Sequence, residues 1–216
     1  MTPEPIHSRR LLAGARRAMV SAVLLLALLV PASRASTVIQ RPLDDLVKTS
    51  PLVFEGHVTQ IESEQVGKRI YTWVTLDILD VIKGSYSGES ISLRYLGGSA
   101  GGMTLKVGDM RLPAFGERGI YLVESLEQRT VHPLRGWGQG HFILRADTPG
   151  GKRYVYNSEL KAVTGVEPAQ PAKPTRFDAN TAAGVRLASK DDSHPAADDR
   201  LSIAEFKAYI RSVTTP

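Results

Sequence analysis

The chain contains no cysteine. That excludes disulfides, thiolate metal sites, a cysteine nucleophile and a lipid-modified N-terminal cysteine. An exported domain without covalent staples must be held by burial alone. Long apolar runs are also lacking: Ala18 to Val30 spans 13 residues, whereas a helix needs about 20 to cross a bilayer. The glycine-rich loop at Gly97–Gly102 has no Gly-Lys-Ser/Thr after it, so it is no phosphate-binding loop. Asp191-Asp192 and Asp198-Asp199 lack the glycine-centred alternation of oxygens that a calcium loop requires, and they are expected to be solubilising charge.

A surplus of positive charge is missing as well, once its location is considered. The formal charge is +5, but five of the 27 Lys and Arg (Arg9, Arg10, Arg16, Arg17 and Arg34) and only one acid, Glu4, fall in the first 35 residues. The remaining 181 residues are near neutral, at about +1, which removes any argument for nucleic acid or acidic lipid as a partner. The basic start, the apolar run and the small residues around Ser33-Arg34-Ala35 together predict a signal peptide over residues 1–35. No stable membrane anchor is then expected after cleavage, and the destination is periplasmic or secreted. Ser8-Arg9-Arg10-Leu11-Leu12 loosely resembles a twin-arginine signal, but paired arginines occur in ordinary export signals too, so the route stays open.

The rest is organised by short β patterns. "LDDLVK" (residues 43–48) places Leu43, Leu46 and Val47 on one helical side, and Pro51 ends it. "LVFEGHVTQIE" alternates, with Leu52, Phe54 and Val58 inward and Glu55, His57 and Thr59 outward. "IYTWVTLDILDVIKG" (residues 70–84) is rich in β-branched and aromatic residues, so it reads as a strand. Its apolar positions slip by one between Ile78 and Leu79, which predicts a β-bulge that keeps the large apolar residues inward and Asp77 and Asp80 outward. Bulges sharpen twist and let a small sheet wrap onto itself. "SISLRYL", "GIYLVESL", "HFILRA" and "RYVYN" complete about six strands, and no helices alternate with them. The expected class is mainly β, a small closed or partly open antiparallel barrel over residues 36–160. Residues 161–200, rich in Pro and Ala, are expected to be a disordered linker. Residues 201–213 form a helix with a Ser202/Glu205 capping box and an apolar face of Ile203, Phe206, Ile210 and Val213, expected to pack back on the barrel.

Gly97-Gly98-Ser99-Ala100-Gly101 matches the Gly-x-Ser-x-Gly pattern of serine hydrolases. A small hydrolase using Ser99, with His132, His141 and Asp109 in supporting roles, is therefore one alternative. The pattern needs a helix immediately after the serine, and "MTLKVGDMRLP" does not read as one. Glu55 and His57 are two apart on a strand face and could meet His141 across a sheet, but no spacing is diagnostic of a metal, and none is expected. Trp137, set among glycines, is expected to cover a barrel end or a groove. With Trp73, His57 and Glu55 it forms the candidate ligand-contacting set. No cofactor is implied.

Two stretches, "SPLVFEGHVTQIE" and "YTWVTLDILDVIKG", together with "GERGIYLVESL", resemble strands of the oligonucleotide-binding-type barrel shared by netrin-like modules and tissue inhibitors of metalloproteinases. Many uncharacterised exported bacterial proteins share the pattern. The resemblance covers roughly residues 40–145. It implies an OB-like barrel and a binding role, with an exported protein partner such as a protease. Those inhibitors place an N-terminal cysteine on the protease zinc, and this chain has none, so no inhibitory residue carries over. The expected function is a non-enzymatic binding module for an extracytoplasmic protein or other ligand.

Overall fold

The structure, a computed structural model, describes residues 39–108, 110–169, 180–189, 196 and 199–214. The expected signal peptide and Asp109 lie outside these. The described part is mainly β, with two helices and one six-stranded antiparallel sheet. Helix α1 (Leu43–Thr49) leads into β1 (Val53–Val66), β2 (Arg69–Lys83) and β3 (Ser90–Leu96). A small hairpin, β4 (Gly98–Ala100) with β5 (Met103–Leu105), precedes β6 (Arg118–Leu122), β7 (His141–Ala146) and β8 (Arg153–Tyr156). β9 (Val163–Val166) pairs with β10 (Val185–Leu187), and α2 (Ile203–Thr214) closes the chain. The sheet runs β3-β2-β1-β6-β7-β8. Its edge strands β3 and β8 do not pair with each other among the described residues, so this is an open sheet and not a closed barrel.

β2 is extended along its whole length, and the predicted bulge is present. Gly56 of β1 stands opposite Ile78 and Glu55 opposite Asp80, which leaves Leu79 as the extra residue. A second irregularity passes over Ile82, and a third leaves Thr59 extra on β1. Each such insertion bends its strand and increases the local twist. The expectation that every large apolar residue stays inward is corrected: Leu79 is 48% exposed. The bulge does keep Ile78 and Val81, three residues apart, against one core, and a second core shares the far end of the strand. Val74 and Leu76 face a core with Phe54, Val58, Leu93, Tyr95, Tyr121 and Leu134. Ile82 faces a second core with Val53, Leu122, Phe142 and Val155, roofed by the two helices.

Between the cores lies β6, whose residues alternate, Ile120 and Leu122 to the helix side and Tyr121 to the other. A glycine pair, Gly56 opposite Gly119, thins the sheet here. A Cβ on Gly56 would stand 2.7 Å from the Phe54 ring, and one on Gly119 3.0 Å from the Tyr121 ring. The two rings thus lie across bare backbone, stacked with centroids 5.4 Å apart. Aromatic cover of strand glycines restores the packing they lack.

One expectation about the chain beyond β8 needs correcting. Residues 161–200 are not simply a linker: β9 and β10 pair within this segment, and Val163 and Ala182 are buried in the helix-side core. Helix α2 packs on its own sheet as expected, with Phe206 and Ile210 fully buried and the Phe206 ring 4.6 Å from that of Phe142. Its capping box is formed: the Ser202 N–H donates to Glu205 Oε2 at 2.9 Å, and the Glu205 N–H donates back to Ser202 Oγ at 3.3 Å. Both bonds satisfy N–H groups that the first helical turn leaves unpaired.

Candidate functional site

The most concentrated chemistry sits where β6, β7 and the loop before β6 meet. Glu117 immediately precedes β6, two residues before Gly119 and four before Tyr121, and its side chain is 6% exposed. Both its oxygens are engaged, Oε1 by His141 Nε2 at 2.8 Å and Oε2 by Arg111 Nη2 at 2.5 Å. Burial alone would raise its pKa. The hydrogen bonds and positive charge from His141 and Arg111 outweigh that and bring it down to about 2. The His141 ring stacks on Tyr121 with centroids 5.0 Å apart. The Tyr121 and Tyr95 hydroxyls and Arg111 Nη1 are buried without a hydrogen-bond partner among the described residues. Burial, reinforced by the Glu117 charge, pushes both phenols well above their ordinary range.

His132 lies deeper. It is 4% exposed, its Nδ1 accepts the Leu134 N–H at 3.1 Å, and burial lowers its pKa to about 4. Trp137 stacks on it with centroids 5.2 Å apart, and Tyr95 meets it edge-on at 5.3 Å. Trp137 holds a left-handed backbone, φ 61°, directly after Gly136 at φ 69°. That conformation costs a bulky residue free energy and is kept where packing over-determines it. Here the packing is the His132 stack, so Trp137 covers core rather than an open groove.

A cleft of about 380 Å³ opens beside Glu117, lined by Arg111, Phe115, Arg118, Ile143, Arg145 and Arg153, among others. Its origin is in the strand register. β6 and β7 pair only from Gly119–Ile143 to Tyr121–His141, while Leu144 to Ala146 pair with β8 alone. Past Gly119 the two strands part, and the cleft lies in the fork. Phe115 stands at its rim, 75% exposed.

The residues singled out from sequence are scattered. Ser99 is on the exposed β4–β5 hairpin and its hydroxyl pairs with Thr104 Oγ1 at 2.8 Å. Neither His132 nor His141 bonds to it, and a strand follows where a hydrolase needs a helix. No hydroxyl is hydrogen-bonded to a histidine ring among the described residues. Trp73 is half-buried on β2 and donates to Glu64 Oε1 at 3.2 Å. His57 remains half-buried on β1. Glu55 is not on a solvated face, as alternation suggested, but 1% exposed beneath α2. It is ion-paired to Arg118 and Lys207, and Lys207 in turn bonds Asp80 at 2.7 Å. Neither Glu55 nor His57 meets His141. Among the described residues no three His, Asp or Glu converge as a metal site.

Sequence reasoning missed Arg111, Tyr121, Arg145 and Arg153. One signal was available: Arg145 continues the face of His141 and Ile143, a cation where alternation asks for an apolar residue. No protein family, curated protein or solved structure matches the chain.

Proposed function

We propose that the chain is an exported, non-enzymatic binding module, an OB-like sheet curled around the Phe54–Tyr95–Tyr121 core, that holds an extracytoplasmic ligand or partner protein. The bulges in β1 and β2 support the curled, barrel-type architecture, and residues 1–35 support export. The observation that carries the binding role is the forked cleft. The groups facing it are arranged to hold rather than to transfer: guanidiniums and an ionised carboxylate with both oxygens occupied, and neither a nucleophile nor a free base. By the resemblance stated above, an exported protease is one partner of fitting kind.

Photo-crosslinking from position 115, at the cleft rim, tests this in the native envelope. The expected result is one reproducible adduct whose partner also binds the purified chain saturably. Fluorophosphonate labelling of the folded protein is expected to be absent. Labelling that disappears in Ser99→Ala, together with measurable ester turnover, overturns the proposal in favour of a hydrolase.

A further inference from the structure

We infer that the fork between β6 and β7 is a binding site for a small oxyanion ligand, one bearing a carboxylate or a phosphate group. This rests on the proposal that the chain is a binding module, and it names the chemistry of what is bound.

The charges around the cleft do not cancel. Of its four arginines, Arg118 is ion-paired to Glu55 and Arg111 to Glu117. Arg145 and Arg153 have no acidic partner among the described residues. Asp147, two residues beyond Arg145, is bound to Arg200 at 2.5 Å. Among the described residues Glu117 is the only acid lining the cleft, and its oxygens are taken. Two guanidiniums, exposed Arg145 and half-buried Arg153, thus stand without an acidic partner among the described residues at one cleft, and an anion between them would offset their mutual repulsion.

The strand register explains how they come together. Arg145 follows His141 and Ile143 on one face of β7, whereas Arg153, opposite Ala146, starts from the other. On an unbroken sheet the two would be separated by the backbone. Because β6 and β7 part beyond Gly119, both reach one opening. Arg111 lines the same wall, its guanidinium held on Glu117. Guanidinium forks match the planar oxygens of carboxylate and phosphate, and such charge-assisted pairs are about twice as strong as neutral ones. A volume of about 380 Å³ is enough for a small molecule or for one acidic group presented by a larger partner.

Isothermal titration of the mature chain with inorganic phosphate and, separately, with succinate tests the site at fixed ionic strength. Saturable binding of at least one probe is expected. Which probe binds more tightly tells phosphate from carboxylate chemistry. The double variant Arg145→Gln/Arg153→Gln should weaken that binding by at least about tenfold, with an unchanged melting temperature in the absence of probe. Lys152→Gln, an exposed neighbour outside the lining, should change it less than about twofold. No saturable heat with either probe overturns the inference, as does equal binding by the wild type and the double variant. The two proposals fail separately. A partner crosslinked from position 115 with no anion binding leaves the module and removes the oxyanion. Fluorophosphonate labelling at Ser99 removes the module and leaves the titrations to stand alone.

Discussion

His132 shows how a single side chain sets the response of this protein to acid. Its ring is 4% exposed, and burial lowers its pKa from 6.5 to about 4. Between those values the unfolded chain holds a proton that the folded chain does not, so stability rises with pH through this window and is lost on acidification. The full loss is about 3 kcal/mol. Glu117 acts in the same direction lower down, since its carboxylate is held ionised to about pH 2 against an ordinary 4.5. Its contribution is present above pH 4.5 and fades as the pH falls towards 2. Urea unfolding at a series of pH values should therefore show stability falling below pH 6.5, first through His132 and then through Glu117. In His132→Asn the slope between pH 6.5 and 4 should flatten, whatever the variant's absolute stability. An unchanged slope would show that another group carries it.

At the scale of elements, α2 is the roof of one core and also its charge lock. Lys207 reaches down between Glu55 of β1 and Asp80 of β2, with its own side chain 15% exposed. Arg211, one turn on and 51% exposed, reaches the outer part of this network and bonds Asp80 at 2.9 Å. The two cations should therefore differ in consequence although they share an acid. Lys207→Met leaves Glu55 buried with Arg118 as its remaining cation, and should cost about 3 kcal/mol. Arg211→Met removes a solvent-screened pair and should cost less than about 1 kcal/mol. Denaturation midpoints of the two variants check the contrast, and equal effects would mean that burial is not what matters. Alternation in "LVFEGHVTQIE" could not reveal this. It correctly separated Phe54 and Val58 from Glu55 and His57. It said nothing of what covers the second face, and that cover comes from a helix some 150 residues later.

For the whole molecule, the sheet is a middle layer rather than the wall of a single interior. Periodicity was enough to find α1, the bulged β2, β3, the central β6 and the capped α2, because each is a local pattern. It was not enough for residues 161–200, whose contribution is made by isolated apolar residues, Val163 and Ala182, among polar ones. The forked cleft escaped for a similar reason: its arginines come from the loop before β6, from β6 itself, from β7 and from β8, and no spacing links them. A chain ending at residue 160 should accordingly fail to form a rigid domain, since it lacks Val163, Ala182, Phe206 and Ile210 from the helix-side core. Loss of near-ultraviolet circular dichroism with retained far-ultraviolet signal is the expected readout. A cooperative unfolding transition like that of the full chain would show that the sheet stands without its roof.

The position of β6 also bears on how freely this protein can diverge. Gly119 to Leu122 lie wholly inside, with a packed interior on either hand, so that strand offers almost no position where a new side chain meets water. Mutational drift is thereby channelled to the hairpin tips and to the fork, where changing an arginine alters what is held without disturbing what holds it.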